Sequence, residues 1–305
     1  MKNKINGWLV INKPYNMGST NVVGKLKWLL KPEKIGHAGT LDPLATGVLP
    51  IALGHATKTI QFVMDGKKTY QFDVVWGAET TTDDKEGEVV FQSEKRPSRQ
   101  EIEAILPQFH GMVLQTPPIY SALKINGKRA YDLARNGEAV EMKPRTIQID
   151  SLKILTHTPE KTRFEVVCGK GTYVRSIGHD LGRILGCYGH ISFLNRTKCG
   201  PFDIKYSILL ENLEKDVYNT LNSNLISTLT ALDDILVLAV SETEMKELMF
   251  GKAIRVPQGT EAVFKDVSQQ SDTDLIIGLK YQNQLVALAK YEKGFFKPFR
   301  VFAEK

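Results

Sequence analysis

Residues 36–50 read GHAGTLDPLATGVLP, and within this small, mostly apolar run stand one imidazole, His37, and one carboxylate, Asp42. Asp42 precedes Pro43, which pushes its backbone toward extended conformations and narrows the directions its carboxylate can take. Gly36, Gly39 and Gly47 allow a second backbone or a flat ligand to come close. Two readings of so constrained an acid stand side by side. The carboxylate ties down its own turn by accepting loop amides, or it does chemistry that needs a single carboxylate. Metal chemistry has less footing. His55, His110, His157, His179 and His190 show no ligand spacing, and Cys168, Cys187 and Cys199 form no CxxC pair. No phosphate loop or dinucleotide-type glycine pattern occurs, so neither a cofactor nor a metal is expected.

The elements around Asp42 follow from the hydrophobic pattern. Ser19 or Thr20 is placed to cap a helix over NVVGKLKWLL, with Val22, Val23, Leu26, Leu29 and Leu30 on one face, and Pro32 ends it. After the Asp42 loop, VLPIAL reads as a buried strand. Tyr70, Phe72, Val74 and Trp76 alternate in TYQFDVVWG as the core side of a half-buried strand. A polar loop runs from Glu79 to Gly87, and SRQE at 98–101 is a capping box opening a helix with Ile102, Ile105 and Phe109. Asn126-Gly127 signals a hairpin, and RTIQIDSLKIL, TRFEVVCG and HISFLNRTKCGPF read as strands. TYVRSIGHDLGRILG reads as a helix whose face is Val174, Ile177, Leu181 and Ile184, stopped by Gly186. The class is α+β around one large sheet. Beyond a polar, helix-like stretch at 210–231, the runs AIRVP, EAVFKD, DLIIGLKYQ, QLVALAKYE and PFRVFAE suggest a small β domain. The expected division is 1–231 and 232–305.

Composition narrows the partners. The 305 residues are 42% apolar and 24% charged, as in ordinary globular proteins. No apolar run is long enough for a membrane span, and Asn12 and Lys13 interrupt the apolar start, so neither membrane nor secretion is expected. An odd set of unpaired cysteines points to a reducing, cytoplasmic setting. Net charge is +6, unevenly spread. Residues 1–68 hold ten Lys and Arg against three Asp and Glu, and residues 121–200 hold fourteen against seven. The segment between them is acidic. Folded together, the two basic segments would make one positive face for a polyanion.

GHAGTLDPLATGVLP resembles the catalytic motif of the TruB family of tRNA pseudouridine-55 synthases. NGWLVINKPYNMGS, KKTYQF, PPIYSALKINGKRAYDLAR, CGKGTYVRSIGHDLG and ISFLNRTKCGPF are similar to its other motifs, in order, over roughly residues 5–210. The tail, with GKAIRV and KPFRVF, resembles the PUA RNA-binding domain. One departure stands in TTTDD, where Thr81 replaces an acid common in the family while Asp83 and Asp84 remain.

The resemblance implies a pseudouridine synthase fold: a large mixed, mainly antiparallel sheet flanked by helices, followed by a PUA-like β domain. It implies isomerisation of uridine-55 in the T-loop of tRNA by base flipping, with no cofactor, by a chain expected to be a monomer. Asp42 would be the nucleophile, or the base that starts a sugar elimination. One carboxylate suits an isomerisation that excludes water, whereas glycoside hydrolysis uses two. Arg175 would keep Asp42 ionised through a fork-shaped contact. Tyr70 would stack on the flipped uracil and serve proton transfer at C5. His37 would fill the place the base vacates, and Tyr173 and Leu194 would wall the base. Lys13, Lys124, Lys128, Arg129 and Arg135 would meet phosphates, and Asp84 would contact RNA. The rivals are a non-catalytic RNA-binding protein and a glycosidase-type hydrolase.

Overall fold

The structure, a computed structural model, describes residues 2–125, 127–138, 140–257, 264 and 275–302. A ten-stranded sheet forms the larger part. Its main path runs Ile208–Leu209, Gly7–Lys13, Thr46–Leu53, Gly189–Cys199, Lys68–Trp76, Lys161–Cys168, Arg145–His157, Gly111–Gln115. Ile35–His37 and Phe202–Asp203 pair on beside it. Two pairings are parallel, Gly7–Lys13 with Ile208–Leu209 and Thr46–Leu53 with Gly189–Cys199. The rest are antiparallel.

The second parallel junction matters for the site. Asn195 faces Thr46 and Arg196 faces Gly47 there. Gly47 has φ +99°, and a Cβ on it would lie 2.3 Å from the Arg196 carbonyl oxygen. Only glycine lets the two strands meet at this point.

Helix Val174–Leu185 packs across the sheet. Gly178 and Gly182 bring it close: a Cβ on Gly182 would sit 2.4 Å from the Gly189 nitrogen. Gly186, in the left-handed conformation, ends it as expected. Its apolar face is Val174, Ile177, Leu181 and Leu185, while Ile184 is 48% exposed. The expected face was therefore one residue out at its last position, because a 3.6-residue period brings 185 rather than 184 under the sheet. Helix Ser19–Leu30 buries Val22, Leu26 and Leu30, but its N-cap is Gly18, and the Ser19 hydroxyl is spent elsewhere. The Ser98–Glu101 capping box opens helix Arg99–Ile105 as read. Asp73 departs from simple alternation. It is buried because Arg163 grips it from the neighbouring strand at 2.6 and 3.0 Å and Lys161 approaches at 3.2 Å.

A second, five-stranded sheet runs Val237–Ala239, Ile276–Tyr281, Gln284–Glu292, Phe295–Val301, Ile254–Arg255. Helix Glu242–Met249, opened by a Ser241–Glu244 capping box, covers its core of Leu248, Ile277, Leu279, Ala287, Ala289 and Phe296. Most of the expected EAVFKD strand, and Asn126 of the expected hairpin, lie outside the described residues. The two sheets are joined through His55, whose Nδ1 is 2.8 Å from the Phe302 carbonyl, and through Lys58, which donates to the Val301 carbonyl. Among the described residues no helix is long and apolar enough to cross a membrane.

Candidate active site

Asp42 lies on the loop between strands Ile35–His37 and Thr46–Leu53, and buried polar groups hold that loop on both sides. The Ser19 hydroxyl accepts from the Leu41 N–H at 2.8 Å and donates to the Leu41 carbonyl at 2.9 Å. The Lys13 ammonium, 0% exposed, donates to the carbonyls of Pro14, Met17 and Pro43 at 2.9, 2.6 and 3.1 Å. Arg196 donates to the Gly39 carbonyl at 2.9 Å and to the Val48 carbonyl at 2.7 Å. Each bond satisfies a backbone group that the loop turns away from water. Asp42 thus has its neighbours fixed from Gly39 to Val48, while its own side chain stays 42% exposed.

Arg175 approaches from the first turn of helix Val174–Leu185. Its side chain is 6% exposed, and Nη2 lies 2.9 Å from Asp42 Oδ2. The same nitrogen donates to the Tyr120 carbonyl at 2.9 Å, and Nη1 donates to the Thr82 carbonyl at 3.0 Å. Asp84 Oδ2 stands 3.8 Å from Nη1. The guanidinium is therefore oriented by two carbonyls and shared between two carboxylates. Asp42 receives one nitrogen rather than the expected fork.

Asp42, Tyr70, Tyr173, Arg175 and Leu194 line one cleft. At Asp42 it joins a recess walled by Leu44, Asp84, Ile191 and Phe193. On the other side it opens into a wider groove carrying Lys68, Arg145, Lys170 and Arg196. Tyr70 projects from the Lys68–Trp76 strand, and loss of water around its phenol, opposed by the charge of Arg196, pushes it up to about 12. Such a phenol stays protonated at neutral pH: an apolar face with a proton to donate. Tyr173 is the N-cap of the Arg175 helix, held by the Gln115 amide through both its N–H and its carbonyl, at 2.8 and 3.0 Å. The Arg145 guanidinium lies 5.1 Å over its ring.

A carboxylate, an arginine and two tyrosines thus converge on a cleft edged by basic residues, and known proteins resemble the chain as a whole. The family described as TruB family pseudouridylate synthase (N terminal domain) matches residues 27–174, and the tRNA pseudouridylate synthase B C-terminal domain matches 175–237. A protein of Bartonella tribocorum named tRNA pseudouridine synthase B is 46% identical, over 98% of this chain and 96% of that one. Its namesake from Sinorhizobium medicae is 45% identical with the same coverage. This chain belongs to the TruB family of pseudouridylate synthases. The fold is also that of the solved Cbf5-Nop10-Gar1 complex (TM-score 0.74, 24% identity, 97% of this chain and 84% of the other).

Against this TruB frame, the expected residues divide. Asp42, Tyr70, Tyr173, Arg175 and Leu194 share the cleft, and Asp84 lines the adjoining recess. Asp84 is largely buried, its Oδ1 accepting from Thr82 Oγ1 at 2.6 Å and the Glu86 N–H at 3.1 Å, so it meets Arg175 rather than solvent. Lys13 is a correction: with no exposed surface and three carbonyls on its ammonium, it cannot meet a phosphate. Burial also lowers Lys13 to about 8, against the pull of Asp42. His37 is not among the residues lining the cleft around Asp42. Its Nδ1 is buried without a hydrogen-bond partner, and burial, then Arg196, lower its pKa, leaving a neutral imidazole.

Lys124, Lys128 and Arg129 lie exposed on the hairpin Lys124–Ile125/Lys128–Arg129, and Ala122 and Leu123 just before it line the wide groove. Arg129 and Arg135 both pack on the Tyr131 ring, at 5.8 and 5.7 Å. The sequence reading passed over Arg196, Arg145, Lys68 and Lys170. Arg196 carried little signal, since Lys198 stands two residues on in the same half-buried strand.

Proposed function

We propose that the chain converts uridine-55 in the T-loop of tRNA to pseudouridine without a cofactor. One observation carries this reading: the single exposed carboxylate of a rigid loop, Asp42, shares a cleft with Tyr70, Tyr173 and Leu194 and is paired to the buried Arg175. The relatives' name supplies tRNA as the substrate. The uridine turns out of its loop, at a cost of a few kcal/mol of stacking. It enters between Tyr70 and Tyr173 with Leu194 beside it, and His37 holds the space it leaves. The N1–C1′ bond breaks and C5 joins the same sugar carbon. Asp42 acts as nucleophile or as the base that starts sugar elimination, and Arg175 orients it in either role. Tyr70, protonated at neutral pH, stacks on the base and relays the C5 proton. Lys124, Lys128, Arg129 and Arg135 take phosphates at the groove, while residues 232–305 form a PUA-like domain that adds grip. The division after residue 231 places the catalytic part in 1–231. Three buried free thiols fit the reducing setting of the cytoplasm, where the enzyme would act as a monomer.

The test uses an unmodified tRNA transcript tritiated at uracil C5. Tritium release without free uracil, lost when position 55 is cytidine, is expected. Free uracil would instead identify a hydrolase, and neither product would identify a binding protein.

A further inference from the structure

On the outer side of Arg175, helix Val174–Leu185 presents cations every fourth residue: Arg175, His179 and Arg183. All three reach the same acidic segment. Arg183 grips Glu79 with two bonds of 2.5 and 2.6 Å. His179 Nδ1 lies 2.9 Å from Asp83 Oδ1 and 3.8 Å from Glu79. Arg175 donates to the Thr82 carbonyl at 3.0 Å and faces Asp84 at 3.8 Å. Asp83 sits between Thr82 and Asp84, both of which face Arg175, and it adopts φ 60°, a left-handed conformation costly for a residue with a Cβ. Something must hold it there. Its N–H bonds the Thr80 carbonyl at 3.2 Å and its carbonyl accepts from Ile191 at 2.9 Å. The side chain is held by His179.

We infer that His179 is a positioning residue: by donating to Asp83 it fixes the Thr82–Asp84 turn, and through that turn the Arg175 guanidinium that orients Asp42. This deepens the proposed reaction and rests on Asp42 doing its chemistry. The groups facing His179 are Asp83 from the turn, Glu79 from strand Ala78–Thr80, and Asp180 from its own helix. The hydrogen bond to Asp83 raises the imidazole pKa against burial, with the charges of Asp83, Glu79 and Asp180 adding to the rise. Asp180 itself is pushed up to about 6 by burial, with His179 opposing. The sign follows. The charge-assisted bond is complete below the ordinary histidine range and weakens as pH rises through the raised pKa.

Single-turnover tritium release and tRNA affinity, measured across pH for wild type, H179A and H179N, test the inference. Asparagine keeps a donor near the Nδ1 position and does not titrate. H179A should lose about tenfold in rate, the size of a charge-assisted hydrogen bond, with affinity within about twofold. H179N should recover most of that rate and lack the alkaline fall that wild type shows through the histidine range. Wild-type rate and profile in H179A would overturn the inference. So would an H179N enzyme that unfolds like wild type yet is as slow as H179A. If H179A does not fold, the comparison of wild type with H179N decides alone. A wild type that releases no tritium fails at the proposed reaction itself, and this inference falls with it.

Discussion

Basic side chains surround the Asp42 loop and also stud the Lys124–Arg129 hairpin, but the two regions use them in opposite ways. Around Asp42 the cations are buried. Lys13, Arg175 and Arg196 spend their donors mainly on carbonyls of Pro14, Met17, Pro43, Thr82, Tyr120, Gly39 and Val48. On the hairpin, Lys124, Lys128 and Arg129 are exposed, and among the described residues their side chains meet a 3.9 Å approach to Glu138 and a bond to the Tyr131 hydroxyl besides ring contacts. The difference separates holding from gripping. A buried cation in a cage of carbonyls fixes backbone and is lost to a ligand. An exposed cation fixes little and remains available for a phosphate.

That contrast is broken or sharpened by removing each kind of group. The largest effect is expected at the carboxylate the buried cations surround. Asp42→Asn should lower single-turnover tritium release by roughly 10³-fold or more, the scale for a lost covalent or base catalyst, with tRNA affinity within a few-fold. Affinity collapsing together with rate would make Asp42 a structural tie of its loop. Next in size is Lys13→Met, which strips three buried carbonyls of their donor and should cost about 3 kcal/mol of stability. Denaturant unfolding measures it. The salt dependence of tRNA binding by the folded variant should match wild type, and a shallower slope would show Lys13 to be a phosphate contact after all.

Much of this was legible in residue types and order. Sheet strands followed from alternation, helix ends from Gly186 and the Ser98–Glu101 box, and the meeting of Asp42, Tyr70 and Arg175 in one cleft from the family resemblance. What escaped was long-range. Ser19 has the look of a helix cap, and its partner, Leu41, is twenty-two residues on. Lys13 reads as a surface cation because nothing nearby in sequence shows that Met17 and Pro43 will close over it. Arg196 comes within reach of Gly39 only because two strands distant in sequence pair in parallel at Gly47. The Ile184 error was local instead, a choice between adjacent positions at a helix end.

The smallest effect, and the sharpest check on the gripping side, belongs to the hairpin. Replacing Lys124, Lys128 and Arg129 together by alanine removes exposed charge and little packing. Stability should stay within about 0.5 kcal/mol per site of wild type. Affinity for tRNA should fall about tenfold at moderate salt, and the log–log salt slope should drop by up to about two, since each phosphate contact to single-stranded RNA contributes about 0.7. Turnover of saturated enzyme should change little, because these side chains touch neither Asp42 nor Arg175. Titrating labelled tRNA at several salt concentrations, beside the Lys13→Met series, sets the two kinds of cation against each other in one measurement. An unchanged slope in the triple variant would move the phosphate path off the hairpin and onto Arg145 and Lys170, which line the same groove.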